Sequence, residues 1–124
     1  MKYRGVNEAG AEFGSQGEVG QYNNHYTYPT NESIDYFIAQ GKWPYKYLGI
    51  VFIHRMMLGM NTIRFPFMWE RVQRTLGSDL DSEEMARMDN TVNYITNTKK
   101  AFIILDVHNY ARYKHQVIGS SKFT

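Results

Sequence analysis

Hydrophobic and polar positions divide the chain into short apolar runs and longer segments with helical spacing. The apolar runs at residues 3–6, 61–65 and 101–107 have the length of strands, and Pro66 is expected to end the second run. The third run is almost continuously apolar, which is typical of a parallel strand covered on both faces. The pattern therefore predicts three short strands, of which the first and the third are buried.

Two helices are predicted between these strands, and residues 7–30 before the first helix predict a loop rich in Gly and Tyr. Thr30 is a favoured N-cap for the first helix, and Gly41 is expected to end it, because glycine readily adopts the left-handed conformation found just past helix ends. Asp81 is expected to cap the second helix, with Glu84 as its capping-box partner. The predicted apolar faces consist of Ile34, Phe37 and Ile38 in the first helix and of Met85, Met88, Val92 and Ile95 in the second.

The alternation of strand and helix is the pattern of a parallel α/β protein, and one segment interrupts its regular spacing. From Val6 to Ile63 there are 57 residues, whereas from Ile63 to Ile103 there are 40. Removing the 18 residues 42–59 shortens the first spacing to 39, so that the two units match. Residues 42–59 are therefore predicted to be an insertion into a regular repeat.

Composition and charge narrow the classes of partner. Hydrophobic residues make up 43% of the 124 residues and aromatic residues 15%, which favours a folded chain over a disordered one. The net charge of +2 comes from residues 42–59, which carry three basic residues and no acidic one; the remainder has 11 basic and 12 acidic residues. Without a basic stripe that could follow phosphates, a nucleic-acid partner is not expected.

The chain contains no cysteine, so no disulfide framework and no thiolate metal site is expected. Its four histidines include no pair at zinc-ligand spacing in a helical context, and no cofactor is expected. The longest apolar run, residues 48–53, is too short to cross a membrane, so no membrane partner is expected. The first residues lead directly into strand-like sequence and do not resemble a signal peptide.

Polar residues follow the predicted strands at their carboxyl ends, where parallel barrels carry their functional groups. These are residues 7–8, Arg64 and residues 108–109. Arg64 lies within an apolar segment, where it either pairs with a carboxylate or reaches solvent. His108 is expected to orient a nearby acid or to contact a substrate hydroxyl, and the alternative is a core histidine bonded to the backbone. Trp69 and Tyr110 are candidate platforms for sugar rings, and packing beneath the helices is the alternative for either one.

Three motifs follow one another at regular positions in the predicted strands. Residues 5–14, GVNEAGAEFG, are followed by residues 26–29, YTYP, around the first strand and its loop. Residues 60–67, MNTIRFPF, with residues 69–71, WER, form the second strand and the segment after it, and residues 106–113, DVHNYARY, form the end of the third. Together these motifs resemble the endoglucanases of glycoside hydrolase family 5, in particular those of fungi. The resemblance covers roughly residues 3–41 and 60–121.

The resemblance implies a (β/α)₈ TIM barrel that hydrolyses β-1,4-glucosidic bonds in cellulose or related β-glucans, with retention, by means of two glutamates. The residue that matches Arg64 supports the nucleophilic glutamate in that family, and the one that matches His108 lines the cleavage site. Asn109, Tyr110 and Trp69 are expected to contact the substrate, a β-glucan polysaccharide. The family implies an extracellular, monomeric parent protein.

Residues 1–124 are expected to form the N-terminal part of such a catalytic domain, about the first three βα units of the barrel. In the family, the acid/base glutamate follows an asparagine near the end of the fourth strand, and the nucleophile ends the seventh. Glu8, Glu12 and Glu70 match neither position. The chain as given is therefore expected to be inactive. The alternatives are a non-catalytic carbohydrate-binding fragment and a mispredicted product without a stable role.

The junctions of the predicted insertion suggest an origin for it. Gly41-Lys42 and Ser121-Lys122 can both be encoded with GTAAG, a common start of fungal introns. Leu58-Gly59 can supply the closing AG, and splicing would then join Gly41 to Met60. A retained intron is one explanation of residues 42–59, and a true loop insertion is the other.

Overall fold

Three short strands form one parallel sheet in the order β1-β2-β3. The computed structural model describes residues 2–38 and 59–120. The strands are β1 (Gly5–Asn7), β2 (Thr62–Phe67) and β3 (Phe102–Val107), and both pairings are parallel. The predicted α/β class and the three strands are confirmed, although β1 begins two residues later than expected and includes Asn7.

The residues that marked the spacing of the two units are direct register partners in this sheet. Val6 pairs with Ile63, and Ile63 pairs with Ile103. The spacings of 57 and 40 residues therefore separate equivalent positions of neighbouring strands. The predicted insertion itself, apart from Gly59, and the predicted helix end at Gly41 lie outside the described residues.

Strand β2 continues through Pro66, so the prediction that this proline ends the strand is wrong. The backbone carbonyl of Arg64 accepts a hydrogen bond from the N–H of Glu8, so the backbone polar groups of Arg64 point toward β1. The backbone nitrogen of Pro66, two residues further on, points in the same direction, but β1 has already ended there. Its missing N–H therefore costs no ladder bond, which is why a proline is tolerated inside this strand.

Helix α1 (Asn31–Ile38) begins where the sequence predicts it. The hydroxyl oxygen of Thr30 accepts a hydrogen bond from the N–H of Ser33 at 3.1 Å, as an N-cap side chain does. Ile34 and Ile38 are buried and Phe37 is half-buried, so the predicted apolar face is confirmed.

Helix α3 (Ser82–Asn93) is also capped as predicted, and it continues as a π-helical turn over Tyr94–Thr98. A carboxylate oxygen of Asp81 accepts hydrogen bonds from the N–H groups of Glu83 and Glu84. Glu84 is not the reciprocal partner of a capping box, however. Its side chain is fully buried and accepts hydrogen bonds from two tyrosines of the first loop, while the N–H of Asp81 donates to the carbonyl of Val72.

The hydrophobic core consists of two clusters, and β2 contributes to both from a single face. Alternate residues of a strand share a face, so Ile63, Phe65 and Phe67 point together toward the helices. The first cluster is Ala11, Tyr26, Tyr28, Phe65, Phe67, Val72 and Met88; the second is Ile34, Ile38, Ile63, Ile95 and Ala101. The predicted face of α3 is confirmed, since Met85 and Val92 pack against the first cluster.

The prediction that β1 and β3 are buried is wrong for the part of the chain that the structure describes. Large apolar side chains of β3 are about half exposed, and no residue of β1 is fully buried. The helices cover only one face of the sheet, and β3 has a neighbour on one side only. The exposed residues of β3 are Phe102, Ile104, Leu105 and Val107.

Two further elements were not predicted. The short helix α2 (Trp69–Val72) follows β2 directly, and a two-stranded hairpin, β4 (Arg112–Tyr113) with β5 (Gln116–Val117), follows β3. The hairpin turn uses Lys114 and His115, both with positive φ, as tight hairpin turns require. None of the described helices is long and apolar enough to cross a membrane.

Candidate active site

The carboxyl ends of the three strands bring four predicted or flanking polar residues together. Asn7, Arg64 and Asp106 lie on the sheet face opposite the helices, because Asn7 is the register partner of Arg64, and Pro66, two residues after Arg64, pairs with Asp106. The guanidinium of Arg64 donates hydrogen bonds to the side-chain oxygens of Asn7 and Asp106. His108 follows β3 directly and joins this group. The carboxylate partner predicted for Arg64 is thus Asp106.

Asp106 holds both Arg64 and His108 in place. One of its carboxylate oxygens accepts from Arg64 and lies 3.0 Å from Nδ1 of His108. An Nδ1–H that donates to Asp106 leaves Nε2 of the imidazole as an acceptor, and the Tyr110 hydroxyl lies 3.1 Å from it. The network therefore fixes the ring orientation of His108. Its alternative as a core histidine bonded to the backbone does not hold, because its ring contacts are with side chains.

Tyr110 stands at the open end of this network. Its side chain is 67% exposed, and its ring lies edge-on to that of His108 with a centroid separation of 4.8 Å. Both residues line an open cleft, whose opposite wall comes from the loop after β1. The residues that line the cleft are Glu12, Phe13, Gly14, Gln16, Met68, His108 and Tyr110. An exposed ring beside a positioned histidine offers both apolar and polar contacts to a ligand.

Asn109 and Trp69, which the sequence also predicts as site residues, contact other protein groups beside this network. Asn109 is buried; its amide nitrogen donates to Glu70 at 2.6 Å, and its amide oxygen accepts from the N–H of Trp69 at 2.7 Å. The Trp69 ring is half-buried and packs against Tyr113 with centroids 4.9 Å apart. These contacts tie α2 to the segment after β3 and thereby help to position His108. The substrate contacts predicted for the two residues stay a prediction.

Glu8, at the end of β1, is a buried carboxyl group with an incomplete set of partners. One oxygen accepts a hydrogen bond from the Ser33 hydroxyl at 3.3 Å, and the other has no hydrogen-bond partner among the described residues. Burial raises the pKa of Glu8 above its ordinary value of 4.5, and the hydrogen bond from Ser33 opposes this shift. The side chain of Glu8 thus bonds to α1, whereas the carboxylate that accepts from the Arg64 side chain is that of Asp106.

Two residues that the sequence reasoning did not select, Glu70 and Arg71, organise the walls of the site. Glu70 is almost fully buried and accepts hydrogen bonds from Asn109 and from the N–H of Lys114. Arg71 is almost fully buried and donates to backbone carbonyls of the loop after β1. The sequence did carry a signal for these two residues, since they are adjacent charges in the first turn after an apolar strand. Charges so close to a core need partners there.

Polar side chains gathered at the carboxyl ends of parallel strands are typical of (β/α)₈ barrel enzymes, and the comparisons with known proteins give the family. The cellulase family model, glycosyl hydrolase family 5, matches residues 6–123. Endo-beta-1,4-glucanase B of Emericella nidulans is 31% identical over 94% of this chain, and Endoglucanase gh5-1 of Neurospora crassa is 34% identical over 95%. This chain belongs to glycoside hydrolase family 5.

Solved structures give the same assignment. XacCel5A in complex with cellopentaose superposes with a TM-score of 0.79 at 36% identity over the whole of this chain. The endoglucanase Cel5A of Pseudomonas stutzeri in complex with cellobiose gives a TM-score of 0.76 at 34% identity over 97% of it. The chain spans only part of these relatives, from 26% of the Neurospora protein to 34% of XacCel5A.

Proposed function

We propose that this chain forms the first part of the catalytic domain of a secreted, monomeric endoglucanase that hydrolyses β-1,4-glucan with retention. The observation that carries the proposal is the Arg64–Asp106–His108–Tyr110 network at the carboxyl ends of parallel strands, beside an open cleft. Membership of the family and the names of its relatives support a β-glucan as the substrate.

In this proposal, Arg64 and His108 support the reaction and do not carry it out. Retaining hydrolysis needs two carboxyl groups about 5–5.5 Å apart on either side of the bond. Arg64 is a cation on the face that Asn7 and Asp106 share, where it would hold a nucleophilic carboxylate in its charged form. His108, with its ring fixed by Asp106, presents Nε2 together with the Tyr110 hydroxyl to a substrate hydroxyl.

Two further statements belong to this proposal: residues 1–124 alone are inactive, and residues 42–59 are an insertion. Glu8 and Glu70 are buried, with Glu70 bonded to Asn109 and Lys114, so neither is available to flank a glycosidic bond. The insertion rests on the register partners Val6, Ile63 and Ile103, which are equivalent positions at unequal spacing. A mature transcript that retains codons 42–59 would contradict an intronic origin of this segment.

The test compares the longest natural polypeptide that contains residues 1–41 and 60–121 with residues 1–124 alone, by release of reducing ends from carboxymethyl-cellulose. The long form should be active and the short form should not exceed a buffer blank. In the long form, Arg64→Ala and His108→Ala should each reduce kcat by about 10²-fold, since each removes a positioned polar group beside the reaction centre.

The matched control is Arg74→Ala, which removes an exposed arginine from an ion pair with Asp81 outside the network. It should leave kcat nearly unchanged, and circular dichroism should show the same fold for all three variants. Near-parental turnover of Arg64→Ala or His108→Ala would remove that residue from the proposed machinery. Activity of residues 1–124 alone would contradict the assignment of the two glutamates to sequence outside them.

A second candidate function, carbohydrate binding without catalysis, is favoured by one observation. Phe13 and Tyr110 are exposed aromatic side chains that line the same cleft, and exposed rings can stack on pyranose faces. Titration of residues 1–124 with cellopentaose, followed by calorimetry, distinguishes the two candidates. Saturable binding without turnover in every polypeptide that contains the sequence would favour the second.

A further inference from the structure

We propose that Arg71 is a positioning residue that fixes one wall of the substrate cleft, the loop of residues 11–20. The inference rests on the proposed function, because it assigns to the cleft beside His108 and Tyr110 the binding of a glucan chain. In the part of the chain that the structure describes, Arg71 donates its hydrogen bonds to carbonyls of the loop and not to His108 or Tyr110, so it acts through the loop backbone.

The guanidinium of Arg71 has its nitrogens bonded to three separate points of the loop. Nε donates to the carbonyl of Val19 at 2.9 Å, and the two terminal nitrogens donate to the carbonyls of Ala11 and Phe13. One side chain therefore holds the loop at two points near its beginning and at one point near its end. A planar fork of donors can satisfy three carbonyls in fixed directions, whereas a lysine ammonium is a compact charge on a flexible stem.

The surroundings of Arg71 make this attachment specific. The side chain is 1% exposed, and its guanidinium lies over the Tyr26 ring at 3.7 Å from the centroid. Tyr26 in turn donates to the buried carboxylate of Glu84 at 2.6 Å. The loop backbone approaches Arg71 closely at Gly14, where an added Cβ would lie 3.2 Å from a terminal nitrogen of Arg71.

The anchored segment is the part of the loop that faces the cleft. Glu12, Phe13, Gly14 and Gln16 line it opposite His108 and Tyr110, and the bonded carbonyls of Ala11 and Phe13 lie immediately on either side of Glu12. Phe13 is 55% exposed although its backbone is fixed by Arg71 and by its own N–H to the Gly10 carbonyl. A large apolar ring held in solvent by a fixed backbone is preorganised for a ligand.

The experiment uses the longest natural polypeptide that contains residues 1–41 and 60–121 and compares Arg71→Lys with the matched control Arg74→Lys. Arg74 lies three residues further on and is exposed, so its change should leave kinetics and loop unaffected. Arg71→Lys should raise KM for cellopentaose about tenfold and change kcat by less than about threefold, because it disorders a binding wall and leaves the reacting groups in place. Amide hydrogen exchange should rise in residues 11–20 and stay constant in α3.

A second variant disturbs the end of the loop that Arg71 holds at Val19, without changing Arg71 itself. Gly20 has a φ of +70°, which strains any L side chain, an added Cβ would lie 3.3 Å from Cβ of His25, and Gly20 is not among the residues that line the cleft. Gly20→Ala should raise KM and loop exchange in the same direction, so the proposal can be tested even if Arg71→Lys does not fold.

Three results would count against the proposed role of Arg71 or against the function on which it rests. Unchanged KM together with unchanged exchange in residues 11–20 would overturn the proposal. Exchange that rises equally in α3, with kcat lowered in proportion to the folded fraction, would also overturn it, since Arg71 would then serve overall stability only. If the unsubstituted polypeptide neither binds nor cleaves cellopentaose, the proposed function fails, while the exchange experiment still shows whether Arg71 fixes the loop.

Discussion

Buried carboxylates in this protein differ in how completely they are paired. Glu84 accepts hydrogen bonds from the hydroxyls of Tyr26 and Tyr28 and pairs with Arg87, and Glu8 has a single bond from a serine. Burial and the neighbouring Glu84 raise the pKa values of both tyrosines, so their hydroxyls stay protonated as donors. A fully paired buried carboxylate connects elements, whereas an incompletely paired one lowers stability when it ionises.

This difference predicts a pH dependence for Glu8. Its folded-state pKa is raised above 4.5 by burial, so the folded form holds its proton longer than the unfolded form does. Stability should therefore fall as the pH rises from 4.5 through the folded-state pKa. Glu8→Gln removes this titration, so its melting temperature relative to the parent should be higher at about pH 7.5 than at about pH 4.

The control for this experiment is Glu32→Gln, which changes an exposed carboxylate in the first turn of α1. If the difference in melting temperature between Glu8→Gln and the parent were the same at both pH values, ionisation of Glu8 would not lower the stability of the folded protein. Differential scanning calorimetry of the three proteins gives the measurement.

At the scale of elements, the positions of the helices depend on polar residues at their ends as much as on their apolar faces. Asp81 accepts two backbone N–H bonds at the start of α3 and pairs with Arg74. The backbone N–H of Glu84, followed by Arg74, lowers the pKa of Asp81. Because α3 carries Met88 and Glu84 toward the first loop, its start also fixes the core cluster beneath that loop.

Asp81→Ala should lower the free energy of unfolding by about 1 kcal/mol, the usual loss when an N-cap side chain is removed. The folded-state pKa lies below the ordinary value of 3.8, so the stabilisation is present above that pH and is lost as the pH falls through the folded-state value. Urea denaturation at neutral pH and below pH 3.8 should show the difference between variant and parent narrowing in acid. Asp79→Ala, an exposed neighbour outside the cap, is the control, and an equal loss there would argue against a specific cap.

At the scale of the whole molecule, the described helices pack on one face of the sheet, and the opposite face is open along β3, although Thr62 and Pro66 of β2 are buried there. Ile63, Phe65 and Phe67 of β2 point toward the helices, and the opposite face carries Arg64 together with the exposed Phe102 and Ile104. Apolar side chains on an edge strand are ready contacts for another chain. In the proposed barrel, this open face would line the interior.

Residues 1–124 in isolation should therefore self-associate. Phe102→Thr combined with Ile104→Thr should reduce this association, because it removes two exposed apolar side chains from one face. Threonine is β-branched and therefore suits a strand. Sedimentation velocity over a range of concentrations measures the effect. Leu76→Thr with Leu80→Thr changes two equally exposed side chains outside the sheet, and an equal reduction by this pair would show that the sheet is not the associating surface.

The sequence by itself determined the local features of this protein. Strand and helix periodicity, the caps at Thr30 and Asp81 and the spacing of Val6, Ile63 and Ile103 all follow from interactions within one segment or from a repeated unit length. Polar residues at the ends of apolar strands likewise marked Arg64 and His108, because parallel strands place their carboxyl ends at one edge.

The tertiary structure decided which partner each polar residue meets and which surfaces are covered. Pro66 stays within its strand because β1 has already ended beside it, and Glu84 leaves its predicted cap because two tyrosines reach it from 56 and 58 residues away. The described helices pack on the face that carries Ile63, Phe65 and Phe67, and they leave Leu105 and Val107 of β3 exposed on that face. Such outcomes depend on contacts between residues far apart in the chain, and no local pattern encodes them.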